Sequence, residues 1–438
     1  MGNKISMNRR DFLKFSAFGA MGVGVPSRGN YLQSEKQAES KSLKIKEYRT
    51  LGRTGFKSSD IGFGTASLTD EAVLSTALDM GINYIDTAPN YSRGGAERIV
   101  GSVIKNRDRK SFLITTKVFW MGDKITKEWI KDMFHKSLER LQTDYIDCYM
   151  IHGADMEKVK SEKFHTAYKE LKAEGKVRFC GLSNHGVQYG ETPERMDDVI
   201  GAAAEDGRFD VVLFVYNYLQ REMGENVLKI CQEKNIGTTL MKTNPVWEYT
   251  EFKEYMDGLV ESGKEVPEWL KKRVALYKER VDQSEGFKKK YNLKTNGKVR
   301  DAAIKFVLSH PGVNTVTFSF SNYNQINSFV ALSGKKLKTS EKRMLSDYAS
   351  TTGRFYCRHA CGECESHCPH RVPVNTIMRY NHYFRAQGRE KDALEKYASL
   401  PGSKADLCEN CSGYCEKACP YGIPIQGLLT LAHQTLTI

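Results

Sequence analysis

The chain lacks several features that would assign it to a class at once. It has no apolar run long enough to cross a bilayer, which excludes a multi-span membrane protein. Glycine accounts for 36 of 438 residues and shows no Gly-X-Y period, so a collagen is excluded. Cysteine is scarce over most of the length. Only Cys148, Cys180 and Cys231 precede residue 357, far too few for a small disulfide-held fold. No G-x-G-x-x-G turn opens an α/β segment, and no nucleic-acid motif or aromatic-basic face accompanies the net charge of +13. That charge implies attraction for anions without naming one. The hydrophobic share of 40% is enough for a large buried core in more than one domain.

Residues 1–30 contain Asn8-Arg9-Arg10-Asp11-Phe12-Leu13-Lys14 and then a weakly apolar stretch. This resembles a twin-arginine export signal, which a receptor reads as an address and which does not anchor the protein. Residues 31–46 are rich in Ser, Lys, Glu and Gln and read as a solvated linker. The expectation is a periplasmic protein, exported already folded; without the signal it would be cytoplasmic.

From residue 47 to about 340 short apolar runs alternate with charged, periodic stretches. Strands are expected at Ser59–Phe63, Tyr84–Asp86, Phe112–Lys117, Asp144–Ile151, Val177–Leu182, Val211–Val215, Thr238–Met241 and Thr315–Phe318. Between them, Lys127–Leu141 places Trp129, Ile130, Met133, Leu138 and Leu141 at helical spacing. Eight such units predict an α/β fold, a (β/α)8 TIM barrel. Residues 245–300 break the rhythm. Val266-Pro267 followed by Leu270, Val274, Tyr277 and Val281 reads as a helical insertion after the seventh barrel strand.

Several motifs in this segment, in order, resemble the aldo-keto reductase family. They are Tyr48-Arg-Thr-Leu-Gly-Arg-Thr-Gly55 with Ile61-Gly-Phe-Gly-Thr65, Gly81-Ile-Asn-Tyr-Ile-Asp-Thr-Ala88 with Tyr91, Thr115-Thr-Lys117, Arg140–Asp147 leading to His152, and Gly181-Leu-Ser-Asn184. The resemblance implies NAD(P)H-dependent carbonyl reduction by a tetrad of Asp86, Tyr91, Lys117 and His152. The chemistry of those residue types agrees. A phenol near pKa 10 needs a neighbouring cation to act at neutral pH. Lys117 would supply it, Asp86 would hold Lys117, and His152 would orient the carbonyl oxygen. For the cofactor the resemblance implies Ser183 and Asn184 at the nicotinamide amide, with Asn322 and Gln325 toward the adenosine phosphate. Leu213 stands where the family usually has glutamine, and Met241-Lys-Thr-Asn-Pro245 carries no aromatic residue to stack on a nicotinamide.

Residues 341–438 hold the other eight cysteines. Cys357-x3-Cys361-x2-Cys364-x3-Cys368-Pro369 and Cys408-x2-Cys411-x3-Cys415-x3-Cys419-Pro420 resemble the two-cluster ferredoxin pattern with one residue inserted in each run. The resemblance implies a mainly helical, ferredoxin-like domain with two [4Fe–4S] clusters and crossed ligand sets: Cys357, Cys361 and Cys364 with Cys419, and Cys408, Cys411 and Cys415 with Cys368. Ligand count alone leaves tetrahedral zinc sites or disulfides open. Val374–Phe384 and Glu390–Leu400 read as helices between the runs.

Together these features predict an oxidoreductase acting on a small-molecule carbonyl or alcohol and exchanging electrons with a redox partner protein. Neither a nucleic-acid partner nor a stable membrane span is expected. The alternative is an iron–sulfur electron-transfer or assembly protein whose barrel is a non-catalytic scaffold.

Overall fold

The computed structural model describes residues 43–119, 125–185, 194–245, 284–294, 296–351, 356–359, 361–387, 389–409 and 411–437, with isolated positions between 260 and 282. The twin-arginine segment 1–30, the linker up to residue 42 and the insertion's helical pattern over 267–281 lie outside the described residues.

A small antiparallel hairpin, β1 (Tyr48–Thr50) with β2 (Lys57–Ser59), precedes eight parallel strands. These are β3 (Ile61–Gly64), β4 (Tyr84–Asp86), β5 (Leu113–Phe119), β6 (Ile146–His152), β7 (Val177–Asn184), β8 (Val211–Val215), β9 (Gly237–Met241) and β10 (Thr315–Ser319). They close into a barrel in sequence order, with β10 pairing back to β3. All eight expected strands are present, with no end moved by more than two residues.

Alternation along each strand decides what faces inward. Tyr84, Leu113, Cys148, Met150, Val211 and Leu213 form one interior cluster, whereas Ile85, Ile114, Tyr149, Ile151, Val212 and Phe214 pack outward against the helices. The amphipathic helix Lys127–Leu141 forms with the expected bounds, capped by the Thr126 hydroxyl accepting from the Trp129 N–H at 3.2 Å.

The hairpin was not among the expected strands, because Tyr-Arg-Thr and Lys-Ser-Ser contain no apolar run. It closes the amino-terminal end of the barrel. Leu51, fully buried, joins the interior cluster, and Gly52 lies at φ +47°, where an added Cβ would fall 2.2 Å from the Gly237 nitrogen.

Beyond the helix Thr339–Ser350 the chain forms a second, helical layer with its own core. Helices Val374–Gln387, Glu390–Ala398 and Ile425–Leu436 enclose Val374, Ile377, Ala393, Tyr397, Leu428 and Leu429 together with Cys364, Cys408 and Cys415. This layer lies across the carboxyl-end mouth of the barrel. The Gln220 side chain donates to the His359 carbonyl, Arg195 pairs with Glu363 at 3.7 Å, and His382 and Tyr383 face the barrel cavity.

Truncating Leu51 to alanine removes the barrel's lower plug. Unfolding followed by far-UV circular dichroism in urea should show a loss of about 2–5 kcal/mol. The docked His382 makes stability depend on pH. It is 3% exposed, and burial, with Lys242 and Arg389 behind it, drives its pKa down to about 3. The unfolded chain takes up a proton near pH 6.5 where the folded chain does not, so His382 subtracts stability as pH falls from about 6.5 toward 3. A His382→Gln variant should lose about 2 kcal/mol less than the parent between pH 7.5 and 5, read from paired denaturation curves.

Candidate active site

Asp86, Lys117 and His152 each continue an inward-facing row of the barrel. Asp86 lies two residues beyond Tyr84, Lys117 four beyond Leu113 and His152 four beyond Cys148. Parallel pairing sets their relative heights, with Asp86 opposite Thr115 and Phe119 opposite His152. The three therefore arrive together at the carboxyl-end mouth.

Lys117 Nζ donates to both Asp86 oxygens at 2.7 and 2.8 Å and to the Thr87 carbonyl at 2.8 Å. All three ammonium protons are thus used, which a fully buried cation requires. Burial favours loss of that charge, but Asp86 and then Tyr91 hold Lys117 above the usual lysine range. Burial pushes the Asp86 carboxyl upward, and Lys117 opposes it.

Tyr91 comes from the loop after β4, and its ring centroid lies 5.2 Å from Lys117 Nζ. The turn behind it is strained: Ser92 and Arg93 have φ of 49° and 53°, and Gly94 follows at 84°. Burial raises the Tyr91 pKa more than Lys117 lowers it. In the closed site the phenol stays protonated, poised to donate.

The His152 ring meets Tyr91 edge-on with centroids 6.0 Å apart. Burial, then Lys117, drives its pKa well down, so the imidazole is neutral and carries a single N–H. Its Nδ1 is buried and has no partner among the described residues.

A cavity of about 480 Å³ lies over these groups, bordered by Asp86, Tyr91, Leu213, Thr243, Asn322 and Gln325, among others. Asn322 also caps the helix Tyr323–Val330 by accepting from the Gln325 N–H, and the Gln325 side chain accepts from the Ser321 N–H. Ser183 and Asn184 are arranged differently from the sequence expectation. Ser183 Oγ accepts from the Gly153 N–H at 3.1 Å, Asn184 Nδ2 donates to the Ala154 carbonyl at 2.8 Å, and neither residue borders the cavity. Both side chains brace the loop after β6.

The remaining walls are residues that sequence reasoning passed over: His185 and Lys242 from the barrel, and His382, Tyr383 and Arg389 from the carboxy-terminal layer. A charged residue directly after a barrel strand was a signal available for Lys242. Nothing local marked the other layer's three, since only docking brings them there.

Among the cysteines, Cys357, Cys361, Cys364 and Cys419 border one small cavity, beside Asn375 and Tyr421. Cys408 and Cys415 interact with Cys368 and Cys411. The structure thus brings each crossed set together. Burial, then the neighbouring thiols, raises Cys408 up to about 12 and Cys415 to about 11. Every cysteine is a free thiol. Cys148, Cys180 and Cys231 are fully buried in the barrel, as expected of packing thiols. Among the described residues no three His, Cys, Asp or Glu side chains converge as they would on a single ion, and no helix is long and apolar enough to cross a membrane.

Comparison with known proteins agrees with this geometry. The Aldo/keto reductase family profile matches residues 60–348, which leaves the cysteine-bearing layer outside it. Aldo-keto reductase YhdN of Bacillus subtilis (strain 168) is 29% identical over 328 residues, 70% of this chain and 94% of that protein. An NADH-specific methylglyoxal reductase of Escherichia coli (strain K12) is 31% identical over 43% of this chain and 62% of its own length. L-Galactose dehydrogenase of Arabidopsis thaliana is 28% identical over 65% of this chain and 87% of its own length. Among solved structures, an aldo-keto reductase from Bacillus halodurans in its holo form is 26% identical, covers 68% of this chain and 95% of its own, and has a TM-score of 0.49. With the profile spanning the whole closed barrel, the chain is an oxidoreductase acting on small molecules and belongs to the aldo/keto reductase family.

Proposed function

We propose that this protein interconverts a carbonyl and an alcohol in the barrel mouth, with two [4Fe–4S] clusters in the carboxy-terminal layer relaying electrons to or from a redox partner protein. One observation carries the reading. The helix Val374–Gln387, which follows the first cysteine run, itself walls the cavity that holds Tyr91.

In the reducing direction Tyr91 gives its phenolic proton to the carbonyl oxygen. Lys117, locked by Asp86, stabilises the phenolate left behind, and His152 directs a hydrogen bond at the same oxygen. NAD(P)H, the cofactor of the family, supplies a hydride when bound. Asn322 and Gln325 border the cavity and would face the adenosine phosphate, while Ser183 and Asn184 would have to exchange their present backbone bonds for the nicotinamide amide.

Each group of four thiols matches the ligand count of a [4Fe–4S] cluster, whose ligands bind separate irons and so do not converge on a point. A bound cluster carries one electron at a time, so two suit a two-electron interconversion. The Cys357 set lies on the barrel side. From Tyr356, next in the chain, ring centroids step 5.4 Å to His359 and 5.2 Å on to His382 at the cavity wall. The small polar substrates named for the methylglyoxal and L-galactose enzymes support a substrate of similar size. The Arg9-Arg10 segment supports export to the periplasm after folding.

Anaerobic purification with iron and sulfide analysis should give about eight irons per chain and visible absorption. Stoichiometric zinc with a colourless protein would overturn the relay. Tyr91→Phe should lower kcat by about 100-fold or more while iron content stays unchanged. Survival of the physiological reaction in that variant would make the barrel a scaffold.

A further inference from the structure

The chemistry above leaves Lys242 unused. It follows β9 with φ of 54°, in the left-handed region that non-glycine residues seldom occupy. Strand alternation would send it outward, since Met241 before it packs on the interior cluster. Instead Lys242 lines the 480 Å³ cavity, and its ammonium meets His185 Nδ1 at 3.1 Å. No carboxylate lies within ion-pair distance of it among the described residues.

The surroundings add to the imbalance. Arg389 borders the same cavity, with Asp392 on its outer side at 2.5 Å. Arg379 is 7% exposed and has an Nη1 with no partner among the described residues. Burial, then Arg379 and Arg389, presses the Lys242 pKa well down. Asp86 is the one carboxylate among the described residues on the cavity wall, and Lys117 already neutralises it. Arg389 keeps Asp392, so Lys242 is the cation of the two left without a carboxylate, and an entering anion would favour the charged form that burial opposes.

We infer that Lys242, with Arg389, forms an anion subsite that holds a carboxylate of the substrate. The reactant is then a small oxo acid or its hydroxy counterpart rather than a neutral aldehyde. Distance favours the substrate over the dinucleotide phosphates as the source of charge. Lys242 contacts His185, whose ring lies 6.1 Å from that of His152, the group that orients the reacting oxygen. This inference rests on the catalytic reading for the identity of the reacting group, but the binding it claims needs no turnover.

Isothermal titration of the anaerobically purified full chain with oxalate, and separately with ADP-ribose, provides the test. Oxalate should bind the parent protein. Lys242→Met should weaken it about tenfold or more, the worth of a lost charge-assisted hydrogen bond, while Lys242→Arg keeps it within a few-fold. Oxalate binding is read without turnover, so its loss in Lys242→Met stands whether or not the parent reduces a carbonyl, and a failed catalytic reading stays distinguishable from a failed subsite. ADP-ribose affinity should not change in Lys242→Met. Should that variant not fold, Arg389→Gln must show the oxalate loss in its place. No oxalate binding by the parent, unchanged oxalate binding in the variants, or a loss confined to ADP-ribose would each overturn the inference.

Discussion

A lysine ammonium buried at the top of a barrel strand has to be neutralised there, and the arrangement of the mouth follows from that requirement. Lys117 spends its three protons on Asp86 and the Thr87 carbonyl, so the ends of β4 and β5 are locked together. Losing either partner would leave the other charged and buried, a far larger penalty than the net worth of the pair. The same pair sets the electrostatics of Tyr91. Its cation is close enough to stabilise a phenolate, yet burial keeps the phenol protonated until a substrate needs the proton.

The cysteine-bearing layer converts an open barrel mouth into a walled cavity. It brings His382, Tyr383 and Arg389 over the tetrad and sets Arg379 and His359 behind them. Three effects follow from this one docking. Side chains at the interface are buried, which strengthens the electrostatic interactions around Lys117. Lys242 and Arg389 come to share one cavity, with Asp392 paired to Arg389 alone. A row of aromatic and imidazole rings links the first cysteine set to the cavity. The buried histidines stay neutral for the same reasons, burial first and then the neighbouring cations.

Strand order, the tetrad and the grouping of cysteines were all legible because each rests on short-range pattern. Alternation along Tyr84–Asp86 or Leu113–Lys117 says which residues share a face, and parallel pairing puts those faces at one end. The hairpin at Tyr48–Ser59 escaped notice because its two strands, Tyr-Arg-Thr and Lys-Ser-Ser, hold no apolar run. Ser183 and Asn184 were placed by motif, whereas their hydrogen-bond partners, Gly153 and Ala154, lie about thirty residues away in a loop whose path no pattern predicts.

By itself the sequence determined the eight-stranded barrel, the identity of the four mouth residues and the division of eight cysteines into two runs, since all three are carried by local spacing. The tertiary structure alone decided that the two layers share one site. Whether Lys242 meets a carboxylate or a second cation depends on how the helix Val374–Gln387 docks, more than a hundred residues further along the chain. Burial and long-range charge are properties of that packing, and they turn a basic residue after a strand into the unmatched cation of an enclosed cavity.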